Sequence, residues 1–228
     1  MMQIVTCWLE HPGLIPAYEA AVRGARVIIV DQASSPPVAE ALDAMAARLG
    51  HGSLVVRSAE NLRFAAGNNV GLGVAAGEGD AGAAIVCLNN DVQGPANPAN
   101  RWLAMVERDV AAGALYGPAA LGFEVDGEAY PYIEGWCVAA TRATWAMVGG
   151  WDAVTYPEAY AEDVDLSWRA RLAGCRLLQT PRWPIQHLSN RTNATLPGAY
   201  DHADAQRERF RGRVRAWRRG ELVIGAAA

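Results

Sequence analysis

The sequence predicts an α/β fold with a mostly parallel sheet flanked by helices. In the first 90 residues, short apolar runs alternate with helix-like stretches, the order typical of β-α-β units. The apolar runs lack polar alternation, which favours strands buried on both faces. The run Ala83–Leu88 leads directly into Asn89, Asn90 and Asp91. Because open parallel sheets bind ligands beyond the carboxyl ends of their strands, Asp91 is the first candidate for a functional residue.

The first half is predicted to contain four strands joined by three helices. The strands are Gln3–Trp8, Arg26–Val30, Ser53–Val56 and Ala83–Leu88, and the helices are Leu14–Val22, Val38–Leu49 and one that starts near Phe64. Right-handed crossovers would place the ends of these strands along one edge of the sheet. Asp31 and Asp91 should then lie on the same rim, with a crevice of nucleotide size between them.

The second half is less regular, and nothing in it resembles a Pro- or Ser-rich linker. It is predicted to contain helix Trp102–Ala112, short strands and turns through Leu115–Ile133, strand Ile133–Ala140, helix Arg142–Val148, loop Trp151–Ala161, helix Glu162–Ala173, short strands Arg176–Thr180 and Pro184–His187, loop Leu188–Tyr200 and helix Asp201–Arg219. We therefore expect one domain over 1–228, with halves at about 1–115 and 116–200 and a basic helix at 201–228.

Composition argues against several classes of protein. An apolar share of 51% and a charged share of 19% are those of a globular chain. The net charge of −4 argues against general nucleic-acid binding. No apolar run approaches the ~20 residues of a membrane span, and the N-terminus lacks the basic and apolar regions of a signal peptide. The four cysteines form no CxxC pair, so we expect reduced thiols in a soluble, cytoplasmic protein.

Asp91 is a candidate ligand for a divalent cation. A carboxylate at a strand end, together with the phosphate oxygens of a bound ligand, can hold a hard cation without a dedicated cage. His187, at the end of a short predicted strand, could supply a second ligand, and an imidazole would shift the preference from Mg²⁺ towards Mn²⁺. The alternatives are an ordinary loop carboxylate and a packed or surface histidine.

Three acidic residues crowd the start of the predicted helix Glu162–Ala173, namely Glu162, Asp163 and Asp165. One interpretation is helix capping, because acids at a helix N-terminus bind free N–H groups and interact favourably with the dipole. The other is that one of them takes a proton from an acceptor hydroxyl. Successive helical residues diverge by ~100°, so the three side chains cannot all face one pocket.

Glycines and tryptophans offer further candidate contacts. Gly67 and Gly71, beside Asn69, could let the backbone approach a nucleotide closely. Neither the dinucleotide fingerprint nor a phosphate-binding loop with its lysine is present in the sequence. Trp136 and Trp151 could stack on a base or a sugar, and core packing is the alternative for both.

In order and spacing, these pieces resemble the family 2 glycosyltransferases of the GT-A fold, and in particular their rhamnosyltransferase-like branch. The resemblance covers Ile4 to His187. It is carried by Val30-Asp31 before a Ser-rich loop, Glu60-Asn61-Leu62 with Phe64-Ala-Ala-Gly-Asn-Asn-Val-Gly, Leu88-Asn-Asn-Asp-Val92, Gly149-Gly-Trp-Asp152, Glu162-Asp-Val-Asp-Leu-Ser-Trp-Arg169 and His187. Asn89 stands where the family usually has the first acid of its DxD motif, which leaves Asp91 as the only carboxylate of that motif.

The resemblance implies an inverting, metal-dependent glycosyltransferase that moves a sugar from a UDP-, dTDP- or GDP-sugar to a hydroxyl of a saccharide, lipid-linked or natural-product acceptor. It assigns the general base to Asp163, and it assigns the metal, Mn²⁺ or Mg²⁺, to Asp91 and His187. It assigns donor binding to Thr6, Asp31, Asn61, Arg63, Gly67, Asn69, Asn89 and Asn90, and acceptor binding to Trp136, Trp151, Asp152 and Glu162. The nucleotide-sugar half would be 1–115 and the acceptor half 116–200.

Several alternatives stay open. A nucleotidyltransferase that makes nucleotide sugars normally needs a Gly-rich, basic N-terminal loop, which Glu10–Gly13 does not supply; a non-catalytic nucleotide-sugar-binding domain is another alternative. The Arg-rich segment Arg207–Arg219 is predicted to be a closing helix that packs Phe210, Val214 and Trp217 inwards. Its alternative is peripheral contact with an anionic lipid surface at the inner membrane face. A homodimer is also left open.

Overall fold

Helices and strands alternate along residues 2–77, 79–94, 101–188 and 201–224, which are the residues that the computed structural model describes. After a 3₁₀ turn at Pro12–Leu14 is set aside, the elements in chain order are β1 (Gln3–Trp8), α1 (Ile15–Val22), β2 (Arg26–Gln32), α2 (Pro36–Leu49), β3 (Leu54–Ser58), α3 (Arg63–Ala76), β4 (Ala84–Leu88), β5 (Val92–Gln93), α4 (Arg101–Asp109), β6 (Ala114–Gly117), β7 (Ala120–Val125), β8 (Glu128–Ile133), β9 (Cys137–Thr141), α5 (Arg142–Val148), α6 (Glu162–Leu172), β10 (Arg176–Gln179), β11 (Gln186–His187) and α7 (Ala203–Arg218). Nearly all of the predicted loop Leu188–Tyr200 lies outside the described residues.

A seven-stranded sheet in the order β10-β6-β9-β4-β1-β2-β3 forms the centre of the fold. Only β9 among these strands runs against the others, because it pairs antiparallel with both β4 and β6 while the remaining pairs are parallel. Two small antiparallel sheets, β5 with β11 and β7 with β8, flank it. The predicted α/β class, a mostly parallel sheet between helices, is confirmed.

Hydrophobic cores lie on both faces of the sheet. One core packs α1, α2 and α4 against the sheet around Trp8, Tyr18 and Trp102. The other packs α3, α5 and α6 around Val5 and Trp145. These two layers explain why the strand runs carry no polar alternation, since both of their faces are buried.

Helix α3 approaches the sheet so closely that two positions on it require glycine. A Cβ added at Gly71 would lie 2.2 Å from Cγ1 of Val5, and one added at Gly67 would lie 2.7 Å from Sγ of Cys7. Both distances are far shorter than real carbon contacts, so the glycines of this segment bring helix and sheet together. The prediction that Gly67 and Gly71 make room for a nucleotide is therefore replaced by a packing role.

We predict that Gly71→Ala lowers the free energy of unfolding by about 1–3 kcal/mol, the usual cost of overpacking a core. The matched control is Gly73→Ala on the same helix, where an added Cβ would meet nothing within 4 Å. That change should be neutral or stabilising, because alanine favours helices by about 1 kcal/mol over glycine. Urea unfolding of both variants measures the difference. Equal stability of the two would contradict the packing role.

The predicted strand Ile133–Ala140 is wrong, because part of it forms a turn and it is not a continuous strand. The strand β8 ends at Ile133, and β9 begins only at Cys137. Between them Glu134, Gly135 and Trp136 form a turn. The chain must change direction here because β8 pairs with the hairpin strand β7 whereas β9 pairs with the central sheet. A single straight strand cannot belong to both sheets.

A third hydrophobic cluster joins the β7–β8 hairpin, α6 and α7, around Val125, Trp168, Phe210 and Val214. As predicted, Phe210 and Val214 face inwards and are fully buried, whereas Trp217 stays 37% exposed. No helix of the described residues is long and apolar enough to cross a membrane.

Many arginines of α7 are paired with acidic side chains. Arg215 and Arg218 bind Asp126 at the tip of the hairpin, at 2.7 and 3.3 Å. Arg213 forms ion pairs with Asp152, and with Asp165 at 3.3 Å. These contacts attach α7 to the hairpin and to α6, as expected for a closing helix.

Candidate active site

The carboxyl ends of β1, β2 and β3 lie side by side, with Trp8 opposite Asp31 and Asp31 opposite Arg57. Asp31 is 2% exposed. One of its carboxylate oxygens accepts a hydrogen bond of 3.1 Å from the backbone N–H of Ser34, and the other pairs with the Arg57 guanidinium. Arg57 also binds Asp43 at 2.6 Å. The sequence predicts no role for Arg57. The signal available was an arginine directly after the predicted strand Ser53–Val56, in the same position relative to its strand as Asp31 after Arg26–Val30.

Asp91 and His187 meet through the two-stranded sheet of β5 and β11. His187 pairs with Val92 in register, and the N–H of Leu188 donates to the carbonyl of Asp91 at 2.8 Å. This pairing places Nε2 of His187 3.0 Å from Oδ1 of Asp91. The Asp91 side chain is 3% exposed and that of His187 is 22% exposed. The β5–β11 pair therefore brings together two residues that are 96 positions apart in the sequence. The sequence predicts a strand at β11 but none at β5.

Two neighbouring side chains complete this corner of the sheet. The amide nitrogen Nδ2 of Asn89 lies 3.4 Å from Nε2 of His187. The ring of Trp136 stacks on the His187 ring, with centroids 5.1 Å apart and planes within 3°. The imidazole is thus held between a carboxylate, an amide and an indole face. Asn90, the other predicted donor-binding amide, is buried beside Asp91.

The Asp91–His187 pair fits a divalent cation. An octahedral cation with bonds of about 2.1 Å holds adjacent ligands about 3 Å apart, which matches the separation of Oδ1 and Nε2. Within the described residues no group of three or more His, Cys, Asp or Glu side chains could hold a metal. The pair would therefore bind a cation only together with oxygens of a ligand and water.

Asp163 lies on the other side of the turn formed by Glu134, Gly135 and Trp136. Its Oδ2 accepts from the N–H of Gly135 at 3.0 Å, and its Oδ1 accepts from the N–H of Val164 at 2.9 Å. Burial raises the pKa of Asp163 to about 6, these hydrogen bonds oppose the rise, and the Glu134 carboxylate adds to it. The carboxylate is thus fixed in place and is more basic than an ordinary aspartate.

The turn connects the two corners of the site. The N–H of Asn89 donates to the carbonyl of Trp136 at 2.8 Å, one residue after the N–H that binds Asp163. The turn therefore contacts both corners: the N–H of Gly135 binds Asp163, while Trp136 stacks on His187 and its carbonyl binds the N–H of Asn89, two residues before Asp91. This turn, which lies within the predicted strand Ile133–Ala140, therefore fixes the position of Asp163 relative to His187.

Glu162 precedes Asp163 and is 7% exposed. Its Oε2 has no hydrogen-bond partner among the described residues. Burial, followed by the neighbouring Asp163 carboxylate, raises the pKa of Glu162 well above its ordinary value. The residues just before it, Tyr160 and Ala161, have φ angles of 86° and 67°. Left-handed conformations of this kind are costly for residues other than glycine and occur often at functional sites.

The three acids at the start of α6 diverge, as the helical geometry requires. Asp165 is fully buried on a different side, where it binds Arg169 at 2.6 Å and Arg213 at 3.3 Å. The N-cap position is Ala161, without a side-chain cap. Asp163 accepts from the Val164 N–H, and the Glu162 carboxylate accepts from backbone N–H groups of Tyr160 and Glu162.

Several predicted contacts of substrate lie in the protein interior instead. Both polar atoms of the Asn69 amide bind the backbone of Trp151, at 2.7 and 2.9 Å, so Asn69 links α3 to the loop after α5. Trp151 is 2% exposed and packs edge-on against Phe64. Thr6 is fully buried. The Trp151 and Thr6 side chains are thus used in packing, and both polar atoms of the partly buried Asn69 side chain are used in backbone contacts.

Three other predicted residues keep partly open positions. Oδ1 of Asn61 accepts from the N–H of Arg63 at 2.9 Å, at the start of α3. The Arg63 side chain is 50% exposed and pairs with Glu158 at 3.3 Å. Asp152 is bound by Arg213 and by the N–H of Thr155 at 2.9 Å, which accounts for most of its hydrogen-bonding capacity.

The fold has a counterpart among solved structures. A Desulfovibrio desulfuricans G20 protein, classed by inference as a nucleotide-diphospho-sugar transferase, matches 98% of this chain and 100% of its own at a TM-score of 0.50 and 15% identity. The galactosyltransferase LgtC, in a complex with donor and acceptor sugar analogues, covers 97% of this chain at a TM-score of 0.48 and 12% identity. At such identities the likeness to the Desulfovibrio protein establishes the GT-A-like fold alone.

Sequence relatives are found among mycobacteria, and no protein-family model matches the chain. Uncharacterized protein Rv1525 of Mycobacterium tuberculosis (strain H37Rv) is 30% identical over 181 residues, which cover 69% of this chain and 67% of the relative. Uncharacterized protein Mb1552 of Mycobacterium bovis matches to the same extent. This similarity means that the chain belongs to the protein family of Rv1525 and Mb1552.

Proposed function

We propose that the protein is a metal-dependent, inverting glycosyltransferase that moves a sugar from a nucleoside diphosphate sugar to an acceptor hydroxyl. The observation that carries this proposal is that one turn contacts both corners of the site: the Gly135 N–H binds the Asp163 carboxylate, and the Trp136 ring stacks on His187. A cation site and a base on two sides of one pocket are the minimum for a single displacement. The class assigned to the Desulfovibrio protein with the same fold supports the nucleotide-sugar donor.

The rim at Asp31 suits the nucleoside. A carboxylate accepts hydrogen bonds, so it favours bases with a ring N–H, as in UDP-, dTDP- and GDP-sugars. Arg57 holds this carboxylate in place and is itself 41% exposed. Asn61 and Arg63 lie at the open start of α3, where they could contact the same nucleotide.

Asp91 and His187 would hold Mn²⁺ or Mg²⁺, and Asn89 and Asn90 lie next to them for contact with ribose or sugar. When bound, the cation neutralises charge on the diphosphate leaving group. Trp136 keeps the imidazole ring in position by stacking on it. The choice between the two metals stays a prediction, with the imidazole favouring Mn²⁺.

Asp163 would act as the general base. The acceptor hydroxyl gives its proton to the Asp163 carboxylate while its oxygen forms a bond to the anomeric carbon. The bond between that carbon and the phosphate oxygen breaks, and its electron pair leaves with the nucleoside diphosphate. A base with a pKa of about 6 is largely ionised at neutral pH and is a stronger proton acceptor than an ordinary aspartate.

We predict that nucleoside diphosphates raise the melting temperature in the presence of Mn²⁺, with selectivity for one base. Binding stabilises the folded state in proportion to ligand concentration over Kd. Thermal shift measurements of UDP, dTDP and GDP, each with and without Mn²⁺, test donor class and metal together. A shift selective for dTDP would support the rhamnosyltransferase-like branch, which stays a prediction.

Two outcomes would replace the proposal. Release of pyrophosphate from a nucleoside triphosphate and a sugar phosphate would indicate a nucleotidyltransferase. Binding of the nucleotide sugar with neither transfer nor hydrolysis, across a broad panel of acceptors, would indicate a non-catalytic binding domain.

A further inference from the structure

Three carboxylates, those of Glu134, Glu162 and Asp163, share the acceptor side of the proposed site. Glu134 and Asp163 are joined through Gly135, whose N–H binds Asp163, and Glu162 is the residue before Asp163. None of the three forms an ion pair within the described part of the chain. This contrasts with the buried carboxylates of Asp31 and Asp165, which are each paired with arginine.

Glu162 carries the clearest sign of a missing partner. Only 7% of Glu162 is exposed, yet its Oε2 accepts no hydrogen bond from any described residue. A buried carboxylate oxygen without a donor is costly, and the cost disappears when a ligand supplies the donor. The Oε1 and Oε2 atoms of a single glutamate beside the proposed base are well placed to bind an acceptor group close to its reacting hydroxyl.

Aromatic side chains surround the same carboxylates. Burial raises the pKa of Tyr132 to about 12, with smaller contributions from the Asp163 and Glu134 carboxylates, so its phenol lies within the field of both acids. The Trp136 indole donates to Oε2 of Glu134 at 3.2 Å. A Cβ added at Gly135 would lie 3.2 Å from Asp163 and 3.4 Å from the Phe64 ring. Unpaired carboxylates beside aromatic rings form an environment that attracts an organic cation.

We infer that the acceptor carries a protonated amine near the hydroxyl that is glycosylated, and that Glu162, assisted by Glu134, binds this ammonium group. The acceptor class is therefore an aminodeoxy sugar or a comparable amino alcohol. The ammonium supplies the hydrogen-bond donor that Oε2 of Glu162 lacks and balances part of the negative charge. This inference rests on the proposed function, because it uses the same acceptor site.

The test compares matched acceptors on the full chain saturated with nucleoside diphosphate and Mn²⁺. The probes are 2-amino-2-deoxyhexoses, their 2-hydroxy parents and their N-acetyl derivatives, with affinity measured by calorimetry. We expect the amines to bind roughly tenfold or more tightly than both neutral forms, as charged hydrogen bonds in a shielded site allow. Glu162→Gln should remove this preference, so that the amines bind no more tightly than the neutral sugars.

Two further variants separate charge from folding. Glu134→Gln should weaken the preference less than Glu162→Gln, and it keeps the test valid if the Glu162 variant is unstable. Glu124→Gln, on an exposed strand position of the same half, should change nothing. If a protein that binds nucleotide and Mn²⁺ shows no advantage for amines, or keeps it in Glu162→Gln, the inference is overturned while the proposed function stands. Absence of nucleotide binding overturns the proposed function itself.

Discussion

Asp163→Asn is expected to lower the rate of sugar transfer by about 10²–10⁴-fold, the usual contribution of a general base, while nucleotide affinity stays unchanged. Asparagine has nearly the shape of aspartate but cannot take the proton of the acceptor. Its amide keeps one of the two backbone hydrogen bonds that Gly135 and Val164 donate to Asp163. Transfer is measured by release of nucleoside diphosphate, and affinity is measured by calorimetry.

The matched control is Asp204→Asn on α7, whose side chain is 98% exposed. This variant should transfer sugar at the parent rate. Parent-like turnover in Asp163→Asn would remove the general base from the proposal. A combined loss of turnover and of nucleotide binding would instead indicate that the substitution disturbs the turn at Gly135.

The pH dependence of kcat/KM offers an independent check on the same residue. A base must be ionised to act, so activity should rise as the pH increases through about 6, the raised pKa of Asp163. Glu134, Glu162 and Tyr132 are the ionisable groups facing it; burial first, and then the Glu134 carboxylate, keep the pKa of Asp163 high. An aspartate with an ordinary pKa near 4 would give a flat profile between pH 5 and 8.

Asp91→Ala is expected to abolish the Mn²⁺-dependent part of nucleotide binding and to lower transfer by at least about 10²-fold. A metal ion bound at such a site typically contributes several kcal/mol of charge stabilisation in the transition state, and each 1.36 kcal/mol is about tenfold in rate. With the carboxylate removed, His187 alone would remain as a protein ligand at this corner. Thermal shift with nucleoside diphosphate across a Mn²⁺ titration measures the loss.

Asp43→Ala provides the control for Asp91→Ala, because its 61% exposed carboxylate also lies near the nucleotide rim and pairs with Arg57. It should keep the Mn²⁺ dependence. His187→Gln should raise the Mn²⁺ concentration needed for half of the shift, since it removes the second ligand. A Mn²⁺ response in Asp91→Ala equal to that of the parent protein would place the cation elsewhere.

The fold was predictable from the sequence to a large extent because its strands are buried on both faces. Runs such as Arg26–Val30 and Ala84–Leu88 carry their own burial signal, and parallel crossovers then order their ends along one edge. The alignment of Asp31 with Arg57 follows from that order. The pairing of Asp91 with His187 came from the family resemblance, since two-residue strands such as β5 leave almost no pattern in a sequence.

The remaining site residues depended on tertiary packing that local patterns do not encode. Gly135 lies in a strand-like run, and its close contacts, Asp163 and Phe64, come from distant parts of the chain. Asn69 looks like a ligand-binding amide in a Gly- and Asn-rich segment, yet its partner is the backbone of Trp151, more than 80 residues away. Amides and glycines serve packing and binding equally well, so their types alone could not separate the two roles.

The third hydrophobic cluster bears on how acceptor preference could change over evolution. Helix α6 contributes Leu166 and Ala170 to the core beneath the sheet, and it contributes Val164 and Trp168 to the cluster under the hairpin and α7. Substitutions in the hairpin can therefore move α6 slightly and reshape the acceptor side, while the strands that carry Asp31 and Asp91 stay in place. Relatives should diverge faster in residues 120–133 and in α7 than along β1 to β4, and hybrid proteins that exchange those two segments together should retain the donor of the parent.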